Sequence, residues 1–148
     1  MTVGNTGDPQ VVLDGVTKTF RTGKGEVRAL ERIDAEVAAG QFVAIVGPSG
    51  CGKSTLLNIV AGLTPASSGT VLVEGEPVRG PRRSLGVVFQ EDSTLPWRTV
   101  LDNVRLGLEV ARVPRAEQLR RSQEMIDLVG LGGFERAYPR ELSGGMRQ

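Results

Sequence analysis

The sequence contains no histidine, so none of its 148 residues can act as a histidine general base or a histidine metal ligand. Its only cysteine is Cys51, which excludes an internal disulfide and fits a reducing compartment. The first ten residues lack a cationic start and an apolar run, so no signal peptide is predicted. No apolar run approaches the roughly 18 residues that a transmembrane helix needs. Any role at a membrane is therefore expected to depend on a partner protein.

An excess of charge of either sign is also absent. The chain has 18 Lys plus Arg against 17 Asp plus Glu, a net charge of +1. This balance gives no electrostatic reason to expect a nucleic-acid-binding protein. Apolar residues make up 39% and charged residues 24% of the sequence, as in globular domains. A chain of this length can bury roughly 70% of its unfolded surface, which makes an independent core possible.

Hydrophobic patterning changes character at about residue 90. Residues 1–9 are predicted to be a flexible tail. Residues 10–90 predict N-terminal antiparallel strands followed by part of an α/β core, and residues 91–148 predict an α-helical part.

Strand signals occur in four stretches of the first part. Residues 10–38 show short apolar alternations with a turn at 22–25, which predicts antiparallel strands. Continuous apolar runs at 42–46 and 84–90 are typical of strands buried on both faces, and residues 69–75 predict another short strand.

Helix signals dominate the second part. Thr99 and Asp102 have the spacing of a capping box, and Pro114 lies at a tolerated first-turn position of a second helix. Apolar residues at helical spacing are predicted to face the core: Val100, Val104, Leu108 and Ala111 in the first helix, and Leu119, Ile126 and Val129 in the second.

Residues 47–54, GPSGCGKS, match the phosphate-loop pattern G-x-x-x-x-G-K-[ST] at every fixed position. Glycines let consecutive backbone N–H groups surround an oxyanion. The following helix, predicted to reach about Ala61 with Gly62 as its cap, directs its positive end at the same phosphates. Lys53 can reach the β- and γ-phosphates, and the Ser54 hydroxyl can bind Mg²⁺. A glycine-rich turn that fits by chance is the alternative.

Cys51 occupies a variable position of this loop. We interpret it as a small filler rather than a redox centre, although its oxidation should block phosphate binding. The loop alone leaves kinases, GTPases and ATPases open as function classes.

Three segments together resemble the ATP-binding subunit of ABC transporters: GPSGCGKSTLLNIVAGL at 47–63, GVVFQ at 86–90 and the signature-like LSGGMRQ at 142–148. Residues 87–110, VVFQEDSTLPWRTVLDNVRLGLEV, resemble more narrowly the importer ATPases of the nitrate, sulfonate and taurine group. The resemblance implies an α/β fold. It would be a P-loop NTPase (ABC ATPase) core with N-terminal antiparallel strands and an α-helical subdomain, C-terminally incomplete.

The resemblance also implies roles for individual residues. Phe20 matches an aromatic residue that stacks on adenine, and Gln90 matches a glutamine that contacts Mg²⁺ and senses the transmembrane partner. Lys53, Gln90 and Ser143 would be catalytic, and Ser54 and Gln90 would bind the metal. The residues implied to bind ATP are Phe20, Gly47, Pro48, Ser49, Gly50, Cys51, Gly52, Lys53, Ser54, Thr55, Gln90, Ser143, Gly144 and Gly145.

Plainer interpretations stay open for several of these positions. Phe20 could be a core residue at a strand end, Gln90 a solvated strand end, and the Ser-Gly-Gly sequence at 143–145 an ordinary helix cap. Trp97 could border the groove that receives a permease helix, or could pack within the helical part.

The family's partners and location follow from the same resemblance. Two ATP-binding subunits would dimerise head to tail, with each signature closing over the ATP of the other. They would bind Mg²⁺ and ATP, and hydrolysis would drive uptake of a small anion such as nitrate, a sulfonate or taurine. Transmembrane permease subunits and a solute-binding protein would complete the importer at the cytoplasmic face of the inner membrane.

The acidic residues that hydrolysis requires are not found in this sequence. In the family a strand ending in Asp, a catalytic Glu and a switch histidine all follow the signature, whereas the signature here is the last motif. We therefore expect a chain cut short, with a marginal fold, a fraying terminal helix, at best weak nucleotide binding and no hydrolysis on its own. The alternatives are a non-hydrolysing nucleotide-binding fragment or pseudo-ATPase, and a soluble ABC ATPase without a transport role.

Overall fold

The structure is a computed structural model, and it describes residues 9–23, 25–90 and 93–148 of the chain. The chain divides after Val87 into two compact units. Each unit has its own apolar cluster. The tail predicted at 1–9 lies outside the described residues except for Pro9, which begins the first strand.

The first unit is built on a four-stranded antiparallel sheet. Its strand order is β2-β1-β3-β4, so β1 is hydrogen-bonded on both edges. The strands predicted within 10–38 and 69–75 are therefore confirmed. The strands are β1 (Pro9–Thr22), β2 (Gly25–Ala38), β3 (Ser68–Val73) and β4 (Glu76–Pro77).

One helix, α1 (Lys53–Val60), packs on this sheet. It ends at Ala61, and Gly62 then adopts a φ of +73° beside the Gly80 carbonyl, where a Cβ would lie 2.2 Å from the oxygen. The predicted helix with its glycine terminator is confirmed, because only a residue without a Cβ fits there. The buried members of the core are Leu13, Val16, Leu30, Leu56, Ile59 and Val71.

The two buried strands predicted at 42–46 and 84–90 are wrong. Both segments have no regular secondary structure, and their apolar side chains are largely exposed, with Phe42 93% and Val88 97% accessible. A strand needs a hydrogen-bonded neighbour, and no described segment pairs with either run. Apolar composition alone therefore does not make these stretches into strands.

The second unit is helical. It contains α2 (Val100–Val110), α3 (Arg115–Leu128), a short 3-10 helix (Pro139–Glu141) and α4 (Gly144–Arg147). Thr99 caps α2 by accepting a hydrogen bond from the Asp102 amide at 3.3 Å, as the sequence predicts. Pro114 lies one residue before α3 rather than within its first turn. No helix of the described ranges is both long and apolar enough to cross a membrane.

The apolar face predicted for α3 is largely wrong. Of its three residues only Ile126 is buried, whereas Leu119 and Val129 are exposed. The buried face instead follows an i, i+4 spacing through Gln118, Ser122 and Ile126. Gln118 can occupy this face because its Nε2 donates to the Val113 carbonyl at 2.7 Å.

Candidate functional site

The glycine-rich loop before α1 is shaped by left-handed backbone. Gly50 has a φ of +82° and Gly52 a φ of +98°. At Gly52 a Cβ would lie 2.5 Å from both the Ala29 carbonyl oxygen and Leu30 Cδ2 on β2. Glycine is therefore required here both by the backbone angle and by the close approach of β2. The sheet thus fixes the point at which the loop enters the helix.

Lys53 folds back over the loop. Its Nζ donates to the carbonyl oxygens of Gly47 at 2.8 Å and Pro48 at 2.7 Å, and lies 3.6 Å from Cys51 Sγ. The ammonium group is thus held beside the loop's backbone, where it can exchange its carbonyl partners for phosphate oxygens. Cys51 is exposed, and its interpretation as a small filler stays a prediction.

The first turn of α1 carries no group that neutralises its positive end. Gly52 is the N-cap and offers no side-chain acceptor, and the first turn contains no acidic residue. The amides at the start of the helix are therefore available to an anion. Ser54 and Thr55 follow within that turn, and Ser54 is exposed.

A magnesium ion bound together with a nucleotide requires few protein ligands, because water and phosphate oxygens supply most of its coordination. The exposed Ser54 hydroxyl fits that requirement. Within 9–23, 25–90 and 93–148 there is no group of three or more Cys, Asp and Glu side chains placed to hold a metal ion by themselves. The loop therefore fits a Mg²⁺ ion that is bound mainly by a nucleotide and water. It does not fit a metal site built only from protein side chains.

Phe20 lies near the end of β1, opposite Val27 of β2. The residue is 40% exposed, and the Lys18 ammonium lies 4.9 Å from the centroid of its ring. An accessible ring beside the sheet is compatible with stacking on a planar ligand. The first unit therefore carries Phe20 and the glycine-rich loop, and the second carries Gln90 and residues 143–145.

The segment after Gln90 is organised by Asn103 of α2. Gln90 itself is exposed, and Glu91 and Asp92 lie outside the described residues. Asn103 Oδ1 accepts from the Leu95 amide at 2.7 Å, and Nδ2 donates to three carbonyls of the same loop at 2.9–3.2 Å: Leu95, Arg98 and Thr99. These bonds hold residues 95–99 in one conformation, with Trp97 71% exposed.

Arg98 fastens the same loop to the end of α2. Its guanidinium donates to Glu109 at 2.7 Å, and this hydrogen bond holds the pKa of Glu109 below its usual value, with Arg105 contributing. Because the folded-state pKa is lowered, the contact stabilises the fold above the ordinary glutamate pKa. It is lost as the pH falls through the lowered folded-state value.

Replacing Asn103 with alanine should release the loop that carries Trp97. We expect a loss of about 1–3 kcal/mol of unfolding free energy, because four half-buried hydrogen bonds are removed together. We also expect a lower fluorescence anisotropy of Trp97, the only tryptophan of the chain. Thr99→Ala is the matched control, because it removes the cap of the same helix at a cost of about 1 kcal/mol but leaves the Asn103 contacts in place. Wild-type anisotropy in the Asn103 variant would contradict this account.

The segment LSGG is positioned by the core of the second unit. Leu142 is buried in one cluster with Val100 and Ile126. Ser143 is the N-cap of α4, and its Oγ accepts from the Met146 amide at 3.4 Å. Gly144 and Gly145 have no neighbouring atoms within 4 Å of the place where a Cβ would lie. A buried leucine thus anchors a serine-glycine turn whose outer side is open.

Comparison with known proteins identifies the family to which the chain belongs. The family model described as ABC transporter matches residues 30–148, which include both the glycine-rich loop and the LSGG segment. The chain belongs to the ABC transporter family. This ABC transporter chain is 48% identical over 136 residues to an uncharacterized ABC transporter ATP-binding protein of Methanocaldococcus jannaschii. It is 52% identical over 122 residues to the taurine import ATP-binding protein TauB of Rhizobium johnstonii.

The two alignments cover 92% and 82% of this chain but only 51% and 47% of the relatives. The ABC transporter chain thus spans about half the length of these curated relatives. A solved ATP-binding cassette, a dimer in a post-hydrolysis state bound to ADP and Pi, superposes with a TM-score of 0.83 at 32% identity, covering 93% of this chain and 65% of that one. The mixed α/β fold is therefore that of an ABC ATPase cassette.

One residue in each unit of this ABC transporter chain has contacts that escaped the sequence analysis, Lys18 in the first and Asn103 in the second. Asn103 follows its helix cap by four residues, a spacing at which a side chain can reach back to the preceding loop. Lys18 lies two residues before Phe20, a spacing that places both side chains on the same face of a strand. Both signals are present in the sequence, but neither indicates by itself which backbone atoms the side chain will meet.

Proposed function

We propose that this chain is the ATP-binding part of an ABC importer, and that it binds MgATP through residues 47–55. The observation that carries the proposal is the glycine-rich loop with the Lys53 ammonium beside its carbonyls and the uncapped start of α1 behind it. This arrangement offers a cation and backbone donors to a triphosphate. Phe20 would stack on the base, and Ser54 and Gln90 would bind the Mg²⁺ ion.

The whole protein would hydrolyse ATP between two subunits arranged head to tail. Ser143, Gly144 and Gly145 would then approach the phosphates held by the partner's loop, as a second helix start directed at the same anion. The dimeric cassette with ADP and Pi supports this arrangement by likeness. Lys53, Gln90 and Ser143 would act in the reaction. We expect residues 1–148 alone to be inactive in hydrolysis.

The importer assignment is supported by the relatives named for taurine import. The chain would act at the cytoplasmic face of the inner membrane, bound to permease subunits that a solute-binding protein supplies. The transported solute would be a small anion such as taurine, another sulfonate or nitrate. Co-purification with the permease separates this importer from a soluble ABC ATPase without a transport role.

Replacing Lys53 with alanine tests the nucleotide site. The variant should bind MgATP at least about tenfold more weakly, because a charge-assisted hydrogen bond to phosphate contributes roughly 1.5–3 kcal/mol. Titration calorimetry with MgATP measures the effect.

Arg21→Ala is the control for Lys53→Ala, since it removes one positive charge from an exposed ion pair with Glu26 in the same unit. It should bind MgATP like the wild type. If the Lys53 variant bound MgATP as tightly as the wild type, the loop would not be the site.

A further inference from the structure

Lys18 is a buried cation in the middle of the first unit's sheet. The residue is only 9% exposed, and its Nζ donates to the Pro65 carbonyl at 2.6 Å. No described carboxylate lies within ion-pair distance of it. A buried ammonium is costly unless polar or aromatic groups compensate it. Here the compensation comes from one carbonyl and from the ring of Phe20.

The carbonyl that holds Lys18 is itself fixed to β1. Ser67 donates its amide to the Thr17 carbonyl at 2.9 Å, and its hydroxyl accepts from the Thr19 amide at 3.0 Å. The segment that contains Pro65 is therefore fastened to the strand that carries Lys18. This fixes the position of the ammonium group before any ligand arrives.

The ammonium lies over the ring of Phe20, 4.9 Å from its centroid. Residues two apart on a strand share a face, and the two side chains meet here although the pairing of β1 with β2 shifts register between Lys18 and Thr19. A cation at this distance is attracted to the ring's π-electrons and restrains the ring. Phe20 as a residue remains 40% exposed, which leaves it accessible to a planar ligand.

We propose that Lys18 is a positioning residue of the nucleotide site, which holds the Phe20 ring so that it can stack on the base. The inference rests on the proposed function and adds to it a residue that does not touch the nucleotide. A ring fixed in advance loses less conformational entropy when the base stacks on it.

The decisive comparison is between MgATP and magnesium tripolyphosphate, which has the phosphates but no base. Lys18→Met keeps an unbranched side chain of similar length and removes the charge. We expect this variant to bind MgATP about two- to fivefold more weakly, the range that a cation–π contact supports. Its affinity for tripolyphosphate should stay at the wild-type value, because the phosphate loop is unchanged.

Three further variants complete the test. Arg21→Met removes a charge from the same strand at an exposed ion pair, and should bind both ligands as the wild type does. Phe20→Ala should lose the whole advantage of ATP over tripolyphosphate. Adding Lys18→Met to Phe20→Ala should then cost nothing more, because the two residues act as one unit.

The possible results separate the two proposals. A wild-type preference for ATP in Lys18→Met, or an equal weakening toward both ligands, would show that Lys18 has no role in placing the ring. If the wild type bound neither ligand, the proposed function would fail as well. Should Lys18→Met not fold by circular dichroism, Lys18→Arg retains the cation and must keep the wild-type ratio of the two affinities. A ratio reduced to that of Phe20→Ala would overturn the inference.

Discussion

Replacing Gly52 with alanine is expected to abolish MgATP binding and to lower the unfolding free energy of the first unit by about 3 kcal/mol, from backbone strain and steric overlap together. A left-handed residue with a Cβ costs about 1–2 kcal/mol by itself. Here the Cβ would also lie 2.5 Å from the Ala29 oxygen and from Leu30 Cδ2, so β2 or the loop must move. Either movement displaces the start of α1 and Lys53. Urea unfolding followed by circular dichroism measures the first effect, and calorimetric titration measures the second.

Gly50→Ala is the matched control for this prediction. Gly50 has a similar φ of +82°, but no atom lies within 4 Å of the place where its Cβ would be. Its substitution should therefore cost only the backbone term of about 1–2 kcal/mol. Equal losses of stability in the two variants would show that the contact with β2 is unimportant and that backbone angle alone requires glycine.

Replacing Ile126 with alanine should disrupt the second unit and free the LSGG segment. Ile126 is fully buried and shares its cluster with Val100 and Leu142. A cavity at such a position costs about 2–5 kcal/mol. Because Leu142 immediately precedes Ser143, we expect amides of residues 142–147 to exchange hydrogen faster in this variant, as measured by mass spectrometry.

Leu128→Ala is the control on the same helix, since Leu128 is exposed. Its effect on unfolding free energy should lie within about 0.5 kcal/mol of zero, and exchange near the LSGG segment should not change. If exchange at 142–147 stayed at its wild-type rate in Ile126→Ala, the cluster would not be what holds the segment.

Local signals in the sequence predicted those parts of the fold that local forces determine. The cap at Thr99 depends on residues within one helical turn, and Gly62 directly follows α1 with a positive φ, which glycine adopts readily. The antiparallel pair β1 and β2 is joined by a short connection, so its pattern of alternation and turn residues is also local. These elements appear where the sequence places them, within a few residues.

The errors have a different physical origin. The runs at 42–46 and 84–90 have the composition of buried strands, but burial and pairing depend on segments distant in the chain. On α3 the buried face includes the polar residue Gln118, whose side chain has a backbone acceptor at Val113. No periodicity of apolar residues contains that information.

In the candidate site, too, the local sequence pattern was predictable and the contacts between distant residues were not. The loop at 47–54 is recognisable from its spacing, because glycine, lysine and serine are needed at fixed steps along the backbone. The contacts of Lys18 with Pro65 and of Asn103 with the loop at 95–99 arise only in the folded chain. A motif thus predicted the groups that would meet a phosphate, and the structure adds those that orient the neighbouring side chains.

The start of α1 has no side-chain cap and no acidic residue, so the free energy of unfolding is expected to depend on the anions in solution as well as on the sequence. An anion that binds the folded loop, but not the unfolded chain, stabilises the fold by RT ln(1 + [L]/Kd). Gly52 provides no side-chain acceptor and the first turn no carboxylate, so this term is not already supplied from within the helix. If the loop binds anions as proposed, we expect the melting temperature to rise with the phosphate, sulfate and nucleotide content of the buffer. Two preparations with identical sequences can thus differ in stability through their salts alone.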